Sequence, residues 1–277
     1  MISSSSEHSI LNKEVFKITS SAQHPFSDAI IVEEPLEISI ISGNGKARKK
    51  DKLAITMRTP GEDSNLAIGF LFTEAIIGRI QDVEKVTQVA ENVIEISLHP
   101  QASFSLDQVN RHFYTSSSCG VCGKASLDLV KQHIVFSLQP NHPKIQFDQL
   151  SRIYHSIQDS QPLFQQTGGN HAVALLDSTG GTLYCAEDVG RHNAMDKVIG
   201  LALKEWAFPL ANHIIVVSGR ASFELVQKAL MAGISILVAV GAPSSLAIEL
   251  ADAHGMTLIG FLKKDQANVY TGIERLD

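Results

Sequence analysis

Cysteine is scarce in this chain: three residues in 277. That number is too small, and odd, for a disulfide framework, and it points to a reducing compartment. Long apolar runs are missing as well. The longest, from Ile234 to Val240, is interrupted by Ser235 and is far too short to cross a bilayer. The N-terminus, Met1 to His8, has no basic region followed by an apolar stretch, so no secretory signal is expected. Positive charge is not in excess. A formal net charge of -6 argues against a general nucleic-acid binder. What remains is a soluble globular composition, 44% hydrophobic and 19% charged, with cytoplasmic residence expected and neither membrane nor nucleic acid as partner.

The length allows one large domain or two modest ones. The first dozen residues are expected to be disordered. From about Val15 to Ile41 the pattern fits strands, and Leu36 to Ile40 alternates apolar and polar. Ser42-Gly43-Asn44-Gly45 signals a turn before a returning strand at Leu53 to Met57. The intervening Lys46, Arg48, Lys49, Lys50 and Lys52 read as a solvated hairpin arm, with docking to an acidic partner as the alternative. A helix is expected over Asn65 to Ile77, stopped by Gly78, and two further strands between Asp82 and Leu98.

Beyond residue 146 the pattern changes. Phe147 to Asp159 reads as a helix and Ala172 to Ala186 as a hairpin. Strands at Ile214 to Val217, Ile234 to Val240 and Thr257 to Leu262 then alternate with helices near Ala194 to Leu203, Ser222 to Ala232 and Leu246 to His254. Such alternation predicts βαβ units and a mostly parallel sheet. The fold class is therefore α/β: a small N-terminal α+β domain over 13–112, a flexible connector over 113–145, and a C-terminal α/β domain over 146–277.

The connector holds Cys119-Gly120-Val121-Cys122 among small polar residues, just before an expected helix at Lys124 to Gln132. A helix N-terminus and Lys124 would both favour thiolate. Four readings compete. Structural zinc needs a second ligand pair, which is missing. Thioredoxin-like exchange normally follows the first strand of a βαβ unit. A persulfide carrier needs one accessible nucleophilic cysteine on a mobile arm, which fits. Two inert surface thiols fit poorly, because exposed free cysteine is generally avoided. A zinc nucleobase deaminase is improbable, since Ser118 rather than proline precedes Cys119 and no His-x-Glu lies upstream. No metal site is expected. Cys185, in strand-like Leu183 to Ala186, reads as a buried apolar residue.

Polar loops recur at strand ends: Thr167 to His171, Glu187 to His192, Ser218 to Arg220 and Gly241 to Ser245. Ligands of open α/β sheets bind at the carboxyl ends of strands, where helix N-termini favour anions. Arg191, His192 and Arg220 are candidate phosphate partners. Capping and turn chemistry is the bland alternative for each loop.

Several segments together resemble one family. Ser118 to Gly123, Glu187 to Ala194, Arg220 to Glu224 and Val269 to Thr271 are similar to the formate dehydrogenase accessory sulfurtransferases, the FdhD family. Glu34 to Leu36, Met57 to Gly61 and Gly69 to Glu74 also match its pattern, so the resemblance runs from about Glu33 to Leu276. It implies a C-terminal domain related to the cytidine deaminases without their zinc, and a homodimer. It implies a sulfur carrier that accepts persulfide sulfur from a cysteine desulfurase. The recipient is the molybdenum (or tungsten) bis(molybdopterin guanine dinucleotide) cofactor, bound as substrate, and formate dehydrogenase is the client. A cofactor-binding chaperone without sulfur transfer is the alternative. Cys119 corresponds to the persulfide-forming cysteine and Cys122 to its companion. The guanine nucleotide part, or a GDP-like nucleotide in its place, would lie on Phe261, Leu262, Lys263, Lys264, Asp265 and Gln266. Here the sequence departs from the family, which often has glycine and arginine where Asp265 and Gln266 stand.

Overall fold

The computed structural model describes residues 9–102 and 134–277. Cys119, Cys122 and the helix expected at Lys124 to Gln132 lie outside the described residues.

Three sheets are present among them. Strands β1 (Ile10–Ile18) and β2 (Gln23–Ile31) form an antiparallel ribbon. Residues 9–12, expected to be disordered, are therefore structured: β1 starts at Ile10 and pairs it with Ile31. The second sheet has the order β4-β3-β6-β5, from β3 (Glu34–Ser42), β4 (Lys49–Arg58), β5 (Val83–Ala90) and β6 (Val93–Leu98). One face of it, Leu36, Ile38, Ile40, Ile94, Ile96 and Leu98, is fully buried. The strict period of two puts these side chains on the same side of the pleat. Four cations of the basic arm are paired locally. Arg48 pairs with Glu84, Lys49 with Asp51, Lys50 with Glu95 and Lys52 with Glu37.

Helix α1 (Asp63–Thr73) covers that face. It ends earlier than the expected Ile77, because Ala75 takes a left-handed φ of 56°. The N–H groups of Ile76 and Ile77 turn back to the carbonyl of Leu71 instead.

The third sheet has six strands in the order β12-β11-β10-β9-β7-β8. They are β7 (His171–Leu176), β8 (Thr182–Asp188), β9 (Ile214–Val217), β10 (Ile236–Ala239), β11 (Thr257–Gly260) and β12 (Asn268–Thr271). β9, β10 and β11 run parallel, joined by crossover helices α5 (Phe223–Met231) and α6 (Ser245–Ala253). The expected parallel arrangement holds for this centre. Both flanks are antiparallel, because β7 and β8 form a hairpin and β12 folds back on β11. β12 was not anticipated: four residues after a charged turn carry too little pattern to register. A short helix α3 (Pro162–Thr167) was likewise unexpected.

Both faces of this sheet are covered, which explains the unbroken apolar runs of its strands. Ile214, Val216, Ile236, Val238 and Ile259 pack with Leu150, Ile153 and Ile157 of α2 (Phe147–Asp159). Ile215, Val217, Leu237 and Leu258 face the other way, toward α4 (Arg191–Glu205), α5 and α6. That second core runs on without a break into α1 and the four-stranded sheet.

The α1–α4 crossing is unusually close. A Cβ at Gly69 would stand 1.8 Å from the Asp196 carbonyl oxygen, and one at Gly200 would stand 1.9 Å from that of Asn65. Glycine at both positions is therefore a steric requirement of the crossing. Among the described residues no helix is long and apolar enough to cross a membrane.

Candidate functional site

The carboxyl ends of β9, β10 and β11 gather the strand-end loops into one edge. The Gly241 N–H donates to the Gly219 carbonyl, Ala221 N–H to Ala242, Ser244 N–H to Ala221 and Phe261 N–H to Gly241. β7 runs antiparallel to β9, so its first residues arrive at the same edge. There Ser218 N–H donates to the Ala172 carbonyl, and the Ala172 N–H donates to Ser218 Oγ at 2.8 Å. The Glu187 to His192 turn joins them through β8, which places Asp188 opposite His171.

This edge brings together Arg191, Arg220 and the 261–266 turn. Arg191 is the first residue of α4, and its Nε is buried without a hydrogen-bond partner. Arg220 is exposed. Phe261 has a left-handed φ of 52° and an exposed ring. Lys263, Lys264, Asp265 and Gln266 are exposed, in a turn closed by Lys263 N–H donating to the Gln266 carbonyl at 2.8 Å. Leu262 differs: its side chain is fully buried in the core, and its N–H is spent on the Ala239 carbonyl.

His192 contributes no positive charge near neutrality. Burial, then Lys228 and Arg191, push its pKa down to about 4, against the opposing pull of Glu224 and Glu74. Its Nε2 lies 3.3 Å from Ser222 Oγ and 3.8 Å from Glu224. It can exchange hydrogen bonds with a ligand, whereas the two arginines supply the charge. Cys185 is inert. Its Sγ donates to the Ser160 carbonyl, and burial pushes its pKa up to about 12.

Residues that periodicity did not single out hold this edge in place. The carboxylate of Asp188, fully buried, accepts from Thr59 N–H, Gly190 N–H and Asn193 Nδ2. It also pairs with Lys197 Nζ at 2.8 Å. Lys197 in turn donates to the carbonyls of Thr59 and Glu187, each at 3.1 Å. Thr59 Oγ1 accepts from Val189 N–H. Asn193 Nδ2 donates to the Met57 carbonyl. The Met57 to Pro60 loop and the Glu187 to Asn193 turn are thus a single hydrogen-bonded joint. Glu187 anchors the other side by accepting from the N–H groups of Leu163 and Phe164, at the start of α3.

A second buried ion pair supports α4 from below. Lys228 Nζ donates to both carboxylate oxygens of Asp196, at 2.9 and 3.0 Å, and to Thr73 Oγ1. Charged groups this deep are retained only when paired and hydrogen-bonded.

Comparisons with known proteins agree with this architecture. The sulfur carrier protein FdhD of Mycolicibacterium paratuberculosis is 45% identical over 258 residues, covering 90% of this chain and 92% of that protein. The protein of the same name from Saccharolobus solfataricus is 40% identical over 266 residues, covering 95% and 96%. A crystal structure from Desulfotalea psychrophila, provisionally described as a formate dehydrogenase accessory protein, superposes with a TM-score of 0.74 at 21% identity. It spans 97% of this chain and 99% of its own. The family model described as FdhD/NarQ matches residues 31–277. With most of its length matched both to that model and to relatives above the 30% identity level, the chain belongs to the FdhD/NarQ family.

Proposed function

We propose that this protein is a sulfur carrier in formate dehydrogenase maturation: it takes sulfur from a cysteine desulfurase and passes it to the molybdenum bis(molybdopterin guanine dinucleotide) cofactor. One observation carries the reading. Relatives matched over nine-tenths of the chain or more are sulfur carrier proteins by name, and this chain has two cysteines in carrier spacing, Cys119 and Cys122.

The first step is a thiol exchange. The Cys119 thiolate attacks the terminal sulfur of the donor's persulfide. A sulfur–sulfur bond forms at Cys119, the donor's bond breaks, and the donor leaves as thiolate, with no net oxidation. Release of that sulfur at the sulfide level needs two electrons. The Cys122 thiolate supplies them by attacking Cys119 Sγ. The terminal sulfur leaves as hydrosulfide with the bonding pair, and a Cys119–Cys122 disulfide remains for a thiol reductant to reopen.

The carboxyl edge is the receiving half of the same reading. A dinucleotide cofactor presents phosphates, and the edge offers Arg191, Arg220, Lys263 and Lys264. The buried, unpaired Nε of Arg191 is a donor awaiting an acceptor, which suits a phosphate oxygen. Neutral His192 and the 261–266 turn complete the surface on which a guanine nucleotide would lie. A homodimer belongs to the same proposal and is checked by sedimentation velocity.

The functional test is activation of formate dehydrogenase in cells that lack this protein. Wild type restores activity and Cys119→Ala does not. Full restoration by both Cys119→Ala and Cys122→Ala would instead assign the role of a cofactor chaperone.

A further inference from the structure

We propose that His171, with Arg191 and Arg220, forms a proton-linked subsite for a doubly charged oxyanion, so that binding the anion places a proton on the imidazole. The inference deepens the cofactor reading above by naming a phosphate-contacting residue of the same edge and the way pH governs it.

The geometry converges from three elements. His171 opens β7 and stands opposite Asp188 in the β7–β8 register. Ser218 binds the backbone of Ala172, which holds the imidazole beside the loop that carries Arg220. Glycine at 219 leaves the ring free: a Cβ there would lie 3.3 Å from His171 Nδ1 and 3.5 Å from Cε1. Arg191, the first residue of α4, acts on the same imidazole through its charge.

One donor at this place lacks an acceptor. Arg191 Nε is buried and unpaired. Buried donors without partners are rare in folded proteins, and an oxyanion acceptor accounts for this one.

The charged groups acting on His171 from the packed elements are Arg191 of α4, Arg220 of the loop after β9, and Asp188 of β8. Burial, then the two arginines, hold its pKa below the usual value, while Asp188 opposes them. At neutral pH the imidazole is therefore uncharged. An oxyanion set among the arginines reverses the sign of the local field. Nearby opposite charge favours the imidazolium and raises a pKa by about 1–3 units. Binding then takes up a proton, and affinity strengthens as pH falls through the window between the free and bound values.

Sulfate is the suitable probe, because it stays a dianion throughout and contributes no titration of its own. The imidazole signals of the full chain are followed by NMR from pH 5 to 8, with and without sulfate, and His171 is assigned from the signal missing in His171→Gln. The expected result is a sulfate-induced rise of about one unit or more in the His171 pKa, with sulfate binding about tenfold tighter at the acidic end. In His171→Gln the pH dependence is lost while binding at pH 8 persists. A His171 titration that sulfate leaves unmoved overturns the proposal, as does full pH dependence retained in His171→Gln. Should that variant misfold, the wild-type titration, assigned with His171→Asn, decides alone. No cysteine takes part, so loss of sulfur transfer leaves this result standing, and an immobile His171 in a chain whose Cys119 accepts sulfur removes this subsite only.

Discussion

Lys197 Nζ lies 2.8 Å from Asp188 Oδ2, and solvent reaches neither side chain. The pair sits where the Met57 to Pro60 loop meets the Glu187 to Asn193 turn, with Lys197 nearly two turns of helix beyond Arg191. It fixes the backbone from which the candidate phosphate-binding arginine projects. An ion pair in such a place is costly to break, because each charge alone has no water to turn to.

Lys197→Met leaves Asp188 buried without its counter-charge, and the expected loss is about 3–5 kcal/mol of stability. Asp188→Asn costs a similar amount. The double variant recovers much of either loss, since no buried charge is then unpaired. Urea unfolding of the four proteins checks this, and purely additive losses would show the pair to be uncoupled.

Alanine at Gly69 or Gly200 forces α1 and α4 apart. The required clearance is more than an ångström against backbone atoms, which cannot rotate away. Each variant is expected to lose about 1–3 kcal/mol or more, read as a lower thermal midpoint.

His192 makes stability depend on acid. Its folded pKa, about 4, is below the unfolded value, so between these limits the unfolded chain binds more protons. The contribution is whole above about pH 6.5 and is lost as pH falls toward 4. His192→Gln removes this component. The stability difference between wild type and variant is therefore expected to shrink, or favour the variant, as the solution is acidified. A difference independent of pH would contradict the assignment.

Arg220→Ala is expected to weaken GDP binding by about tenfold, the worth of a charge-assisted hydrogen bond. Its melting temperature stays near wild type, because the residue is exposed. Calorimetric titration with GDP and a thermal melt separate the two effects.

Much of this molecule was legible in its sequence. Ile214 to Val217 reads as a buried strand because both of its faces are apolar, and the structure uses both. The loops of Arg191 and Arg220, and the one from Gly241 to Ser245, were visible as polar segments after strands, whereas the Phe261 turn was pointed to only by the family resemblance. The joint beneath them was not visible. Lys197 lies in a helix buried on nearly all sides, where periodicity gives it no face, and its partner Asp188 is its neighbour only through the fold. Thr59 meets Asp188 across 129 positions of chain. The early end of α1 rests on a left-handed alanine, a choice made by tertiary packing against the local preference of Ile76 and Ile77. β12 was hidden by its length, and Leu262 by its place in a loop otherwise exposed.

The most direct test of the carrier role is mass spectrometry of the protein after incubation with a cysteine desulfurase and cysteine. One added sulfur atom is expected on Cys119 in the wild type and in Cys122→Ala, and none in Cys119→Ala. A sulfur adduct of undiminished yield in Cys119→Ala, or no adduct on Cys119 in the wild type, would contradict the account.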